Sequence, residues 1–318
     1  MADSPPLPKT SVRTWSSNDL LMLGVVLVWG INFSVIKVTL RSMSPMAFNG
    51  LRFTLASIVI ITILRWRGES LRLARHDVAP VFLLGLVGHT LYQVLFLNGL
   101  ARTTPANASL LMATAPIFVV IYGYVLGVER ANRWVWCGIL LSFAGILLLI
   151  GGGGSVRLGA ASVVGDLLIL AAAMLWAAYT TGSKPLLARY SPLKLTALSM
   201  VAGAVPLVII SLPAMRAQDW GTVPAGAWWG LLYSAVFSVA LAYIAWYTSV
   251  QRVGNARTAV YSNLTPVIAI LVAWVVLGST LAPLQIAGAA VVLAGVMLTR
   301  RGRLAMVARP IAATLEES

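Results

Sequence analysis

The sequence predicts an all-α integral membrane protein of ten transmembrane helices in two inverted five-helix repeats, and three observations lead there. The first is composition: 59% of the 318 residues are hydrophobic and 10% are charged. The mean hydropathy of +0.88 is far above that of a water-soluble domain, so the solvent must be lipid. The second is internal repetition. Asp19, Trp29, Lys37, Ser44 and Pro45 return 147 positions later as Asp166, Trp176, Lys184, Ser191 and Pro192. Further along, Pro116, Gly138, Ala144 and Gly145 stand 150 positions before Pro266, Gly288, Ala294 and Gly295. A leucine-rich composition does not generate such matches, because Asp, Trp, Lys and Pro are scarce here. The third observation is that the basic residues gather in alternate loops.

Apolar runs bounded by turn residues and charges place the spans at 20–41, 45–65, 78–99, 105–127, 133–151, 163–184, 192–212, 226–250, 256–278 and 282–299. Runs of roughly 20 apolar residues match a hydrocarbon core of about 30 Å, and no ten-residue alternation of barrel strands is visible. Residues 1–19, with Pro5, Pro6 and Pro8, read as a disordered cytoplasmic tail. Residues 20–151 form the first repeat, 152–162 the linker, 163–300 the second repeat and 301–318 a C-terminal tail. The glycine run from Gly151 to Gly154 lacks the Lys and Ser/Thr of a phosphate loop and reads as a flexible joint.

With a cytoplasmic N-terminus, 17 Lys and Arg fall on the inner side, five on the outer side, and Arg52 within a span. That bias puts both termini in the cytoplasm of a bacterial inner (plasma) membrane. The net charge of +14 is spread between spans and forms no single patch, so no nucleic-acid partner is expected. Cys137, the one cysteine, allows no intramolecular disulfide. Because each repeat has five spans, an odd number, the second copy enters from the opposite face. The two are then related by a pseudo-two-fold axis in the membrane plane. Many secondary transporters share this arrangement, with substrate bound near mid-depth where the halves meet.

Several spans carry polar and aromatic side chains along one helical face. The first span offers Trp29, Asn32 and Phe33; the third His89, Tyr92, Gln93 and Phe96; the sixth Trp176, Tyr179, Thr180 and Ser183. The ninth offers Thr258, Tyr261, Ser262 and Thr265, and the eighth Ser238, Tyr243, Trp246 and Tyr247. These faces should turn inward and line a central cavity, or else join helices through hydrogen bonds. Pro116 and Pro266 fall mid-span at matching positions, where each removes a backbone bond and clashes with the carbonyl four residues earlier; a kink is expected, serving as a hinge or held static. All nine acids lie in tails, loops or span ends, which leaves His89 as the one group near mid-depth able to change charge near neutrality. Uniport, exchange or weak His89-dependent coupling follows. Lys37 and Arg52 are expected to snorkel to the headgroups, or to meet a substrate carboxylate.

The chain resembles the drug/metabolite transporter superfamily, in particular EamA-type permeases. The resemblance rests on Trp29-Gly30-Ile31-Asn32-Phe33, Arg52 in the second span, the Pro116 and Pro266 centres, and Leu126-Gly127-Val128-Glu129-Arg130 closing the fourth span. It implies an exporter of amino acids or related small metabolites, with Trp29, Asn32, Tyr92, Trp176, Tyr179 and Tyr261 facing the substrate. The expectation is therefore a secondary transporter working by alternating access on a small-molecule substrate within the lipid bilayer, as a monomer or weak homo-oligomer. No nucleotide-binding, metal-ligating or triad pattern is present, so no cofactor, metal or catalysis is expected. The alternatives are a membrane-embedded enzyme, a lipid-binding scaffold or a channel-like facilitator.

Overall fold

The computed structural model describes residues 16–125, 132–151 and 160–316, and among these it contains helices and no strand. Ten helical segments follow one another. They are α1 (Ser17–Thr39), α2 (Pro45–Trp66), α3 (Arg75–Arg102), α4 (Pro105–Val125), α5 (Arg133–Gly151), α6 (Ala160–Leu187), α7 (Pro192–Ala217), α8 (225–261), α9 (Thr265–Leu277) and α10 (Pro283–Glu316). Seven are long and apolar enough to cross a membrane by length and composition; Arg133–Leu148, Thr265–Leu277 and Pro283–Thr299 are shorter apolar helices. The tail 1–15, the motif 126–130 and most of the linker, 152–159, lie outside the described residues.

The helix starts are written locally. Ser16 caps α1 and forms a reciprocal capping box with Asp19. Ser44, Thr104 and Ser191 cap α2, α4 and α7, each followed by a proline whose missing N–H costs nothing at the first helical position. The left-handed backbone that closes α9 falls at Gly278, with φ of 63°.

Several boundaries differ from the sequence expectation, among them the start of the ninth span, at Thr265 where 256 was expected. Helix α6 takes up 160–162 of the linker, α8 runs through the turn expected at 251–255, and α10 continues through the tail expected from 301. The segment 251–255 holds Gly254 and Asn255 but no proline, and each costs a helix only about 1 kcal/mol or less, so α8 can continue through it.

The irregularities repeat along with the helices. A π turn occupies Leu86–Leu91 in α3 and another occupies Ser234–Leu241 in α8. The Tyr92 N–H reaches the Val87 carbonyl and the Ala242 N–H reaches the Phe237 carbonyl, so the same wide bond recurs 150 positions on. Helix α4 breaks between Met112 and Ala115, just before Pro116, and a 3-10 turn at Ser262–Leu264 precedes Pro266. Both prolines thus sit at interruptions, as their missing N–H groups require.

The packing has the same regularity. Helix α5 pairs with α10, α2 with α7, α1 with α8 and α9, and α6 with α3 and α4. Exchanging each helix for the one five places along returns the same pairs. Close backbone approach makes the α5–α10 contact: a Cβ on Gly138 would lie 2.7 Å from the Gly295 carbonyl oxygen, and one on Gly145 would lie 2.9 Å from that of Gly288. Each of these contacts is the repeat image of the other. Large apolar side chains such as Ile58, Leu83, Leu147, Ile209 and Val275 remain exposed on the outside, a surface suited to lipid and not to water.

Candidate functional site

The inward faces of α1, α3, α6 and α8 meet at mid-length. Trp29 and Trp176, counterparts in the repeat, stand edge to face at 5.8 Å. Tyr243 lies against both, 6.1 Å from Trp29 and 5.4 Å from Trp176, while Trp246 is 5.2 Å from Trp29. Tyr92 and Tyr179 approach Trp176 at 5.4 and 5.7 Å. Such edge and tilted contacts suit the ring quadrupoles. The Trp29 Nε1–H donates to the Ser238 carbonyl at 3.0 Å, within the π turn of α8. Trp29 and Trp176 are half-buried, whereas Tyr92, Tyr179, Tyr243 and Trp246 are buried.

Polar groups ring this aromatic centre. His89 is fully buried on the π turn of α3, with Nε2 hydrogen-bonded to the Tyr179 hydroxyl at 3.0 Å and to Ser199 at 3.3 Å. Asn32, one turn along α1 from Trp29, is also buried. Asn32 Oδ1, His89 Nδ1 and Trp246 Nε1 have no hydrogen-bond partner among the described residues. Buried polar atoms normally find partners, so these three leave hydrogen-bonding capacity unused on the helices that carry the rings.

Of the expected site residues, Trp29, His89, Tyr92, Gln93, Trp176 and Tyr179 are brought together, and Asn32 lies beside them. Tyr261 departs from the expectation. Because α8 runs on through the expected turn, Tyr261 ends that helix, and its hydroxyl donates to Asp19 at the face where α1 begins. At the opposite face Asp166, the repeat counterpart of Asp19, accepts hydrogen bonds from Thr103 and, at 3.4 Å, from Asn107. Each contact bridges the two halves.

The two embedded cations also depart from the snorkelling expected of them. The Lys37 ammonium donates to the Leu100, Ala101 and Thr103 carbonyls at 3.0, 3.0 and 2.6 Å, capping the C-terminal end of α3. Arg52 is 1% exposed. Its guanidinium donates to Asn49 and Ser234, both at 3.2 Å, and to Gln93. The rings of Phe48 and Phe53 lie 5.3 and 5.4 Å from its central carbon. The sequence signal was present: Asn49, three residues before Arg52, puts two polar groups on one face of an otherwise apolar helix. Away from this centre, a cleft of about 320 Å³ lies between the end of α2, the start of α7 and the 244–252 stretch of α8, lined by Arg67, Glu69, Ser191 and Arg252 among others.

Comparison with known proteins agrees with this architecture. The EamA-like transporter family model matches residues 16–151 and 163–301. The chain is 32% identical over 293 residues to a probable terminal-alkyne amino-acid exporter of Streptantibioticus cattleyicolor, covering 92% of this chain and 95% of that one. It is 32% identical over 289 residues to a probable amino-acid metabolite efflux pump of Salmonella typhimurium, covering 87% and 93%. It is 29% identical over 280 residues to the uncharacterized transporter YyaM of Bacillus subtilis, covering 87% and 92%. A protein of known crystal structure shares the fold, with a TM-score of 0.66 at 19% identity, over 92% of this chain and 99% of the other.

Proposed function

Because this chain belongs to the EamA-like transporter family, we propose that it is a ten-span secondary transporter. Its two inverted five-helix halves export small amphipathic metabolites, amino acids or related compounds, across the bacterial inner membrane with both termini in the cytoplasm. The observation that carries this reading is that repeat counterparts touch one another. Trp29 meets Trp176, the Gln93 side-chain amide donates to the Tyr243 hydroxyl at 3.4 Å, and the Ser142 hydroxyl donates to the Val292 carbonyl at 3.4 Å. Residues that contact their own images lie near the axis relating the copies. The aromatic centre therefore sits where two halves able to rock would move most symmetrically.

The substrate class draws on two things. Indole and phenol rings beside unpaired polar atoms suit a small solute with an apolar body and polar ends. Two relatives are named for amino-acid export and amino-acid metabolite efflux. The Asp19–Tyr261 and Asp166–Thr103–Asn107 contacts act as latches at opposite faces, and alternating access releases them in turn. With both made and the rings packed together, the arrangement described above corresponds to a closed state between the inward- and outward-open ones.

Counterflow in proteoliposomes tests the reading. Saturable exchange of a labelled amino acid is expected, whereas linear flux without counterflow would favour a channel, and no flux with any solute would remove the transport assignment. His89→Ala is expected to abolish any response of that flux to an imposed pH gradient; a steep proton-driven gradient that survives the substitution would refute His89 coupling. At the interrupted helices, Pro116→Ala and Pro266→Ala restore a backbone donor where each helix breaks. Each is expected to slow exchange several-fold, since a straightened helix costs a hinge. Unchanged rates in both proteins would make the breaks static.

A further inference from the structure

We propose that Arg52 is the anion-recognition group of the transport path, and that it takes the carboxylate of a small monocarboxylate amphipath while Gln93 holds the place of that carboxylate between cycles. The proposal rests on the transporter reading above and names the chemistry of its substrate.

A buried guanidinium normally has a formal counter-charge, because neutral dipoles return only part of the hydration it has lost. Arg52 has none among the described residues, where both ion pairs involve Asp77. Its acceptors are an amide, Asn49, a hydroxyl, Ser234, and a second amide, Gln93. Its Nε donor has no partner among the described residues. The Phe48 and Phe53 rings steady the cation without neutralising it. What is missing is an oxygen pair of negative charge, the group that a guanidinium fork binds through two parallel hydrogen bonds.

Gln93 connects this cation to the aromatic centre. Its carbonyl end faces the guanidinium and its amide end faces Tyr243, whose ring contacts Trp29 and Trp176. One side chain thus separates Arg52 from the rings. The neutral oxygen of Gln93 lies where one carboxylate oxygen would dock, and rotation about its side-chain torsions clears the position and turns the amide N–H toward the incoming anion. Gln93 and Tyr243 are repeat counterparts, so their 3.4 Å contact spans the junction between the halves. Relative motion of the halves would part them and open the way to Arg52.

The experiment is counterflow with the purified full-length chain in proteoliposomes, using a labelled mixture of the proteinogenic amino acids. Each transported amino acid is then competed with its own unlabelled carboxamide. In the native protein the acid is expected to compete at least about tenfold better than the amide, as befits a buried charge contact. Gln93→Glu supplies Arg52 with an internal counter-charge and is expected to erase that preference. Gln93→Ala removes the placeholder and is expected to keep the preference with an equal or lower KM for the acid. Arg52→Gln is expected to lose the acid and keep the amide, with monodispersity of the detergent-solubilised protein as the check on folding. If Gln93→Glu discriminates acid from amide as the native protein does, the proposal is overturned while transport stands. If the native protein gives no counterflow with any amino acid, the transporter reading fails as well.

Discussion

A Trp29→Ala protein is expected to lose transport by more than about tenfold while remaining folded in the membrane. Trp29 touches Trp176, Tyr243 and Trp246, and its indole N–H holds the Ser238 carbonyl in the π turn of α8. Removing a fully buried indole forfeits about 3–5 kcal/mol of packing in a soluble core; the half-buried Trp29 forfeits less, and the loss falls on the contact between the two halves. Trp29→Phe separates the two contributions. It keeps a ring and loses one hydrogen bond, worth about 1 kcal/mol, so a reduction of roughly fivefold is expected. Rates of counterflow measured alongside the surface expression of each protein check both values. A Trp29→Ala protein that transports at the native rate would reduce the aromatic cluster to ordinary core.

Cross-linking either latch is expected to stop transport completely. A Cys137→Ser background removes the one native thiol, which is exposed. Thr103→Cys with Asp166→Cys then ties the start of α6 to the end of α3, where the native side chains hydrogen-bond. Asp19→Cys with Tyr261→Cys does the same at the other face. Alternating access requires each face to open once per cycle, so one lock suffices, and reductant should restore flux in both proteins. Undiminished flux through a fully cross-linked protein would place the path elsewhere, or show that these contacts never open. The two locks are expected to act alike because the paired aspartates occupy the same position in the two repeats. This symmetry distinguishes the prediction from one made for a gate at a single face.

Much of this was readable residue by residue. Hydropathy and turn chemistry located the helices because both are local: the Ser44-Pro45 and Ser191-Pro192 starts of α2 and α7 fall where the sequence put them. The repeated Trp29 and Trp176 marked the centre before any contact was known. The breaks before Pro116 and Pro266 followed from the missing backbone donor alone. The π turns of α3 and α8 were not legible, since a wide backbone bond is favoured by the packing around it and no residue type encodes it. Tyr261 was expected at the centre from the polar face of the ninth span and from the family resemblance, and the continuation of α8 carried its hydroxyl to Asp19 instead.

The sequence by itself determined that this chain is helical, embedded in lipid and built twice from one plan, because each of those properties is set by composition, spacing and repetition along the chain. Tertiary structure alone decided where the embedded cations go. Arg52 finds Gln93 and Ser234, 41 and 182 positions away, and Lys37 finds carbonyls more than 60 positions away. A charge in an apolar helix must satisfy its donors with whatever packing brings near, and in lipid most of those partners come from neighbouring helices, with Asn49 the local exception for Arg52.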